Sequence, residues 1–443
     1  MTDNIRDERN QRQSRVFFGW YIVAASVLTN TIFSAAYFQG FSALFLPIET
    51  HFGWNRTVLS AAMSIRQLES GLVSPFVGLS IDRIGARKIL LFSAVVSGVG
   101  LIGLGFSQGT LSFFLFFIIV SFGASGSSHA VTWPVLIARW FTRKRGLATG
   151  IAVMGPIFGS PFVIANTSIE DAVGWRLVLI AYGVLVLVAL TLLSLVARDR
   201  PESYGLLPDG DAIETEHAEF DLAQRRARES QKGLDIREVT RTKEFWLLTL
   251  YLGGMFVVNS AFQVHLFPYF ELDKGFSPSG AAVVLTLVFT LSGIGRIGGG
   301  FLLDKVDYRI VLSLVAAIMG SGFVYLQLVD VSSVWGTVPF AALFGIGFGS
   351  IIPLRGALGS MMFGTKSIGA VVGLLQGGAV AAGVVGPLFL GVAFDLQGDY
   401  SMAMWGLVAV SAAMIPLALA MAPRSALNDR FASDLQEPNH SRD

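Results

Sequence analysis

The sequence predicts an all-α, membrane-embedded chain of twelve spanning helices, arranged as two parallel six-helix repeats. Three observations carry this. Of 443 residues, 53% are hydrophobic and only 14% charged, and the mean hydropathy is +0.62, whereas a soluble domain carries roughly 25% charged residues to cover its surface. Apolar stretches of the length that crosses a hydrocarbon core, about 20 residues, recur along the chain. A short polar signature also appears twice, GLSIDRIGAR at 78–87 and GFLLDKVDYR at 300–309, 222 positions apart.

The spans are expected near 18–48, 57–81, 88–106, 111–138, 146–165, 174–197, 244–270, 277–303, 310–329, 336–362, 368–394 and 401–422. The organisation is then a tail (1–16), an N-terminal half (17–197), a central polar segment (198–243), a C-terminal half (244–422) and a second tail (423–443). The first apolar run is too long for a signal-peptide core and no small-residue cleavage site stops it, so it is expected to stay as a span. With no Cys in the chain, disulfide and thiol chemistry are excluded. No metal-ligand spacing, phosphate-cradling loop or nucleophile constellation stands out, so neither an enzyme nor a cofactor, metal or nucleic-acid partner is expected. The functional unit is expected to be a monomer.

Cations set the orientation. With the N-terminus inside, 26 of the 32 Lys and Arg fall on inner segments, which places both termini and the central segment on the cytoplasmic side of a cell (inner or plasma) membrane. The central segment contains HAEFDLAQRRARESQ, with sparse apolar positions, and is expected as a surface helix or linker against headgroups.

The repeat extends beyond the signature. Gly78, Asp82, Arg83 and Arg87 match Gly300, Asp304, Lys305 and Arg309 at a spacing of 222; Gly146, Gly150 and Gly155 match Gly369, Gly373 and Gly378 at 223. Two parallel copies place a substrate site at their interface near mid-membrane. Gly155 and Gly159, four apart on one helix face, let another backbone approach.

Charges at membrane depth are few: Arg66, Glu69, Arg296 and Arg355. A guanidinium cannot shed its charge and costs about 2.5–3.5 kcal/mol or more at depth unless paired or wetted. Glu69, three residues after Arg66 on one helix face, is expected to neutralise it or to carry a proton. Arg296 and Arg355 have no carboxylate partner at depth in their own half, which points to an anionic substrate. Arg355 lies nearer the inner end of its span, where snorkelling is a competing account. Other polar or aromatic groups at plausible depth are Tyr37, Phe38, Gln39, His129, Asn259, Gln263, His265 and Gln376.

The run Gly78–Lys88 resembles the loop signature of the major facilitator superfamily. That resemblance implies a cytoplasmic latch carried by Asp82, Arg83 and Arg87, with Asp304 and Arg309 as its repeat. The stretch WFTRKRGLATGIAVMGPIFG at 140–159 resembles the fifth-helix signature of the monocarboxylate transporter family, and Gly19–Trp20 the end of its first-helix signature, with Phe17 and Phe18 where an acidic residue stands. The likeness covers essentially the whole chain and extends to the oxalate/formate exchangers. It implies that Arg296, with Gly300 four residues on, binds substrate. The Asp that mammalian members carry one turn before that Arg is Ser292 here. Oxalate exchangers pair this Arg with a Lys in helix eleven; the nearest polar residue here is Gln376, which argues against a small dicarboxylate.

The expected function is secondary transport of small, lactate- or pyruvate-like monocarboxylates by alternating access, coupled to protons through Glu69 and Arg66. An anion exchanger, a multidrug exporter and a non-transporting carboxylate receptor are the alternatives.

Overall fold

A computed structural model describes residues 17–38, 41, 44–54, 56–127, 130–159, 162–204, 206–210 and 233–423. The described residues are helical throughout the apolar regions and contain no strand, only one isolated bridge, Gly233 to Gly364. Nine of the described helices are long and apolar enough to cross a membrane. With the interrupted or more polar segments at the second, fourth and fifth positions, they make twelve spans in two six-helix halves.

The first span is Gly19–Phe33 continued by a π-helical turn, Ser34–Phe38; the residues up to 48 do not extend it, since Phe45–Phe52 form a separate short helix around Pro47. The second is Arg56–Ile84 and the third Ala86–Gly105. They are joined by Gly85 at φ 89°, a left-handed region that a side chain would strain. The fourth is broken into Thr110–Gly126 and Thr132–Trp140. The fifth is Arg145–Ala152, Gly155–Gly159 and Phe162–Val173, and the sixth Trp175–Val196. The C-terminal half holds the seventh (Lys243–Pro268), eighth (Pro278–Lys305), ninth (Tyr308–Leu328), tenth (Val338–Phe363), eleventh (Ile368–Gly383 with Val385–Gln397) and twelfth (Ser401–Leu419).

Pro156 explains the break in the fifth span. Lacking an N–H, it cannot bond the carbonyl of Ala152 four residues back. The amide of Ile157 turns to Met154 instead, so Val153 also loses its helical partner. Side chains fill both vacancies. Ser26 Oγ and Asn30 Nδ2 of the first span donate to the Ala152 carbonyl at 3.1 and 3.5 Å, and an arginine from the other half takes that of Val153.

The central segment is fastened at both described ends. Asp209 accepts from the amides of Thr142 and Arg143 at 2.9 and 2.8 Å, and Arg198 lies 4.0 Å over Phe18 and 4.1 Å over Tyr204, so residues 198–210 pack on the N-terminal half. The Leu234 amide donates to the Phe363 carbonyl at 3.0 Å and Lys366 pairs with Asp235 at 3.0 Å, tying the far end to the C-terminal half. All of HAEFDLAQRRARESQ lies outside the described residues.

Candidate functional site

The two halves meet along two helix crossings, second on eleventh and fifth on eighth, and glycines set both. A Cβ on Gly78 would stand 1.9 Å from the Gly369 carbonyl oxygen, and one on Gly300 2.2 Å from that of Gly146. One turn deeper, a Cβ on Gly373 would be 2.5 Å from the Ser74 oxygen and one on Gly150 2.2 Å from the Arg296 oxygen. No side chain fits at these places, so backbone lies on backbone.

At each crossing a carboxylate caps the opposite helix. Asp82 accepts from the amides of Gly369 and Ala370 at 3.1 and 2.9 Å; Asp304 accepts from those of Gly146 and Leu147 at 2.7 and 2.9 Å. A carboxylate at a helix N-terminus satisfies orphan amides and the helix dipole together. Asp82 also pairs with Arg139, buried at the end of the fourth span, at 3.0 Å. The basic members expected in this latch behave otherwise. Arg83 and Arg87 are exposed and carry no ion pair among the described residues, and Arg309 pairs with Asp307 two residues away at 3.1 Å. The buried partner is Arg139, which the cation count assigned to the inner surface.

Arg145 folds back, Nε to the Phe141 carbonyl and Nη2 to that of Ala138, both at 2.9 Å, and so closes the end of the fourth span.

Arg296 is 3% exposed and reaches across the half-to-half boundary, where Nη1 donates to the orphaned Val153 carbonyl. Its Nε is enclosed and has no hydrogen-bond partner among the described residues. It does not snorkel. Neither does Arg355, which is 7% exposed and makes no hydrogen bond or ion pair among the described residues. Gln376, also buried, has an unpartnered Oε1.

The expected pairing of Arg66 with Glu69 is not formed. Glu69 accepts from Ser121 Oγ, and from Ser125 Oγ at 3.2 Å, both on the fourth span. Arg66 turns instead to the first span, where Nη1 lies 3.4 Å from the Tyr37 carbonyl and the guanidinium sits 5.5 and 5.4 Å over the Tyr37 and Phe38 rings. A shared helix face brings two residues within reach, but each side chain took a nearer partner on a neighbouring helix.

In the seventh span Gln263 donates to Asn259 at 2.7 Å. His265 is held between the Tyr400 hydroxyl at 3.0 Å and the Pro387 carbonyl at 3.1 Å, so its Nε2 carries the proton that the carbonyl accepts. Gln39 and His129 lie outside the described residues.

Two parallel six-helix halves, joined by reciprocal carboxylate caps and enclosing charge at membrane depth, define a multi-pass membrane transporter. The sequence model of the Major Facilitator Superfamily matches residues 27–387 and, again, 266–440. The chain belongs to that superfamily, and it is a transporter, not an enzyme. It is similar to monocarboxylate transporter 11 of Mus musculus, 28% identical over 407 residues that cover 87% of this chain and 83% of that protein. It is likewise similar to monocarboxylate transporter 2 of Rattus norvegicus, 25% identical over 399 residues and 86% and 78% of the two chains. Among solved structures, the proton:xylose symporter XylE aligns with a TM-score of 0.72 at 15% identity, over 94% of this chain and 99% of that one. FucP in its outward conformation aligns at 0.64 and 14%, over 90% and 98%. At those identities the structural likeness speaks for the fold alone.

Proposed function

We propose that the protein carries small organic carboxylates, of the kind for which its monocarboxylate-transporter relatives are named, across a cell membrane by alternating access. Both termini and the central segment face the cytoplasm, where most cations lie. The observation that carries this reading is Arg296: a buried guanidinium at the boundary of the halves, held by one carbonyl and facing no carboxylate among the described residues. A substrate carboxylate supplies the missing charge in the fork geometry that suits it. The Asp82 and Asp304 caps hold the cytoplasmic face closed, and they must part for that face to open.

Glu69 is the proton carrier in this reading. Its serine partners hold the charged form, and proton uptake turns it into a donor without stranding Arg66, which is satisfied elsewhere. Proteoliposome uptake of labelled monocarboxylates, with and without an inward proton gradient, tests both parts. Wild-type uptake should accelerate with the gradient. Glu69→Gln should lose that acceleration yet retain substrate-for-substrate exchange, which moves no net proton. Gradient dependence intact in Glu69→Gln removes Glu69 from coupling; wild-type uptake indifferent to the gradient makes the protein an exchanger.

A further inference from the structure

We propose that Pro156 is a positioning residue for Arg296: it keeps the Val153 carbonyl open, so that one guanidinium nitrogen is fixed and the other edge is presented to the acid. The inference rests on the carboxylate reading of Arg296 and adds the groups that orient it. Around the break in the fifth span, backbone carbonyls are met by small polar side chains of the first span. Ser26 Oγ and Asn30 Nδ2 serve Ala152, while Thr31 Oγ1 lies 3.3 Å from the Gly155 carbonyl and Ser34 Oγ 3.5 Å from that of Pro156. The two helices are pressed together there. A Cβ on Gly155 would stand 2.4 Å from Cβ of Asn30, and one on Gly159 2.5 Å from Cβ of Ser34. Met154 takes the Ile157 amide at 2.9 Å. The N-terminal half thus meets these carbonyls with its own groups, and among the described residues Val153 is left to Arg296 of the other half.

What Arg296 gains is an orientation. A guanidinium offers five donors in one plane, on a side chain with much rotamer freedom. With Nη1 bonded to Val153, the Nε–Nη2 edge remains, and its Nε is enclosed without a partner among the described residues. That edge carries two parallel donors, the geometry for one carboxylate. The anchor is a neutral carbonyl, so the positive charge stays unspent for the substrate. Neighbouring helices also hold the backbone here: a Cβ on Gly150 would be 2.2 Å from the Arg296 oxygen and one on Gly295 2.0 Å from that of Ile346. A residue with an N–H at position 156 would bond Ala152 and let the Ile157 amide return to Val153, closing the helix over the acceptor that Arg296 uses.

The test is the affinity of purified full-length protein in nanodiscs for lactate and propionate, in wild type, Pro156→Ala, Arg296→Lys and the double variant. Pro156→Ala should bind these acids about three- to tenfold more weakly, the worth of one hydrogen bond. Lysine has no Nε–Nη2 edge to orient, so adding Pro156→Ala to Arg296→Lys should change affinity by less than about twofold. A proline that served the helix alone would cost the same in both backgrounds. Pro416→Ala, which removes a proline from inside the twelfth span, should leave affinity unchanged. Equal losses in the two backgrounds, or wild-type affinity in Pro156→Ala, would overturn the inference and leave the carboxylate reading standing. No binding of either acid by wild type, or wild-type affinity in Arg296→Lys, would remove that reading itself. Where Pro156→Ala does not insert, Pro156→Gly restores the same N–H without a side chain and is judged by the same outcomes.

Discussion

The second–eleventh and fifth–eighth crossings are built to one plan and differ at one level. Both have glycine on glycine at one end (Gly78 on Gly369, Gly300 on Gly146) and an aspartate that caps the facing helix. One turn deeper they diverge: Ser74 occupies one crossing and Arg296, 222 positions on, the other. Ser74 spends its hydroxyl on the Ser70 carbonyl of its own helix, and the eleventh span opposite runs on through Ala379. Arg296 reaches the other half, because Pro156, 223 positions before Ala379, breaks the fifth span and frees the Val153 carbonyl. The glycine contacts and the aspartate caps recur at both crossings, and the arginine contact across the boundary does not. At one crossing only, Pro156 of the N-terminal half and Arg296 of the C-terminal half add a polar contact across the boundary.

Removing the fit of the glycines should have the largest effect. Gly300→Val places a side chain against the Gly146 carbonyl, and overpacking of this sort costs about 1–3 kcal/mol. The cytoplasm-closed population should fall by roughly 5- to 150-fold relative to the open one, and Gly78→Val should do the same at the other crossing. The chain has no Cys, so a single introduced cysteine at the interface reports opening by its labelling rate. Equal labelling in wild type and both variants would show that the crossings do not control access.

A smaller effect should come from the caps. Asp304→Asn weakens one helix cap, worth about 1 kcal/mol. Asp82→Asn weakens the other and leaves Arg139 buried beside a neutral partner, with Asp199 at 3.8 Å its other carboxylate among the described residues. The positions matching Arg139 in the second repeat are Met361 and Met362. Asp82→Asn and Arg139→Met should therefore both raise the labelling rate in the same assay. An unchanged rate in Arg139→Met would mean that Arg139 contributes nothing to the latch.

The spans, the two-half repeat and the latch aspartates were legible because hydropathy and repeated spacing act over many residues and average out local detail. What stayed hidden depended on single partners. The break at Val153 follows from Pro156 within GPIFG, but its consequence, a carbonyl open to an arginine of the other half, depends on a partner far away in sequence. Ser121 and Ser125, which hold Glu69, are ordinary small residues in an apolar helix, and only the packing of the fourth span on the second brings them together. The fourth span reads as one apolar stretch, yet it is broken between Gly126 and Thr132. Arg139 looked like one more cation obeying the inside rule. Burial beside Asp82 is a property of tertiary packing and leaves no mark on local composition.

The central claim is that one of two matched positions became a carboxylate ligand while the other remained packing. It is tested most directly by the affinity of purified protein for its transported acid in wild type, Arg296→Lys and Ser74→Ala. Lysine keeps the charge but cannot present two parallel donors to one carboxylate. Arg296→Lys should bind about tenfold to a hundredfold more weakly, and Ser74→Ala should stay within about twofold of wild type. Wild-type affinity in Arg296→Lys, or an equal loss in both variants, would contradict the account.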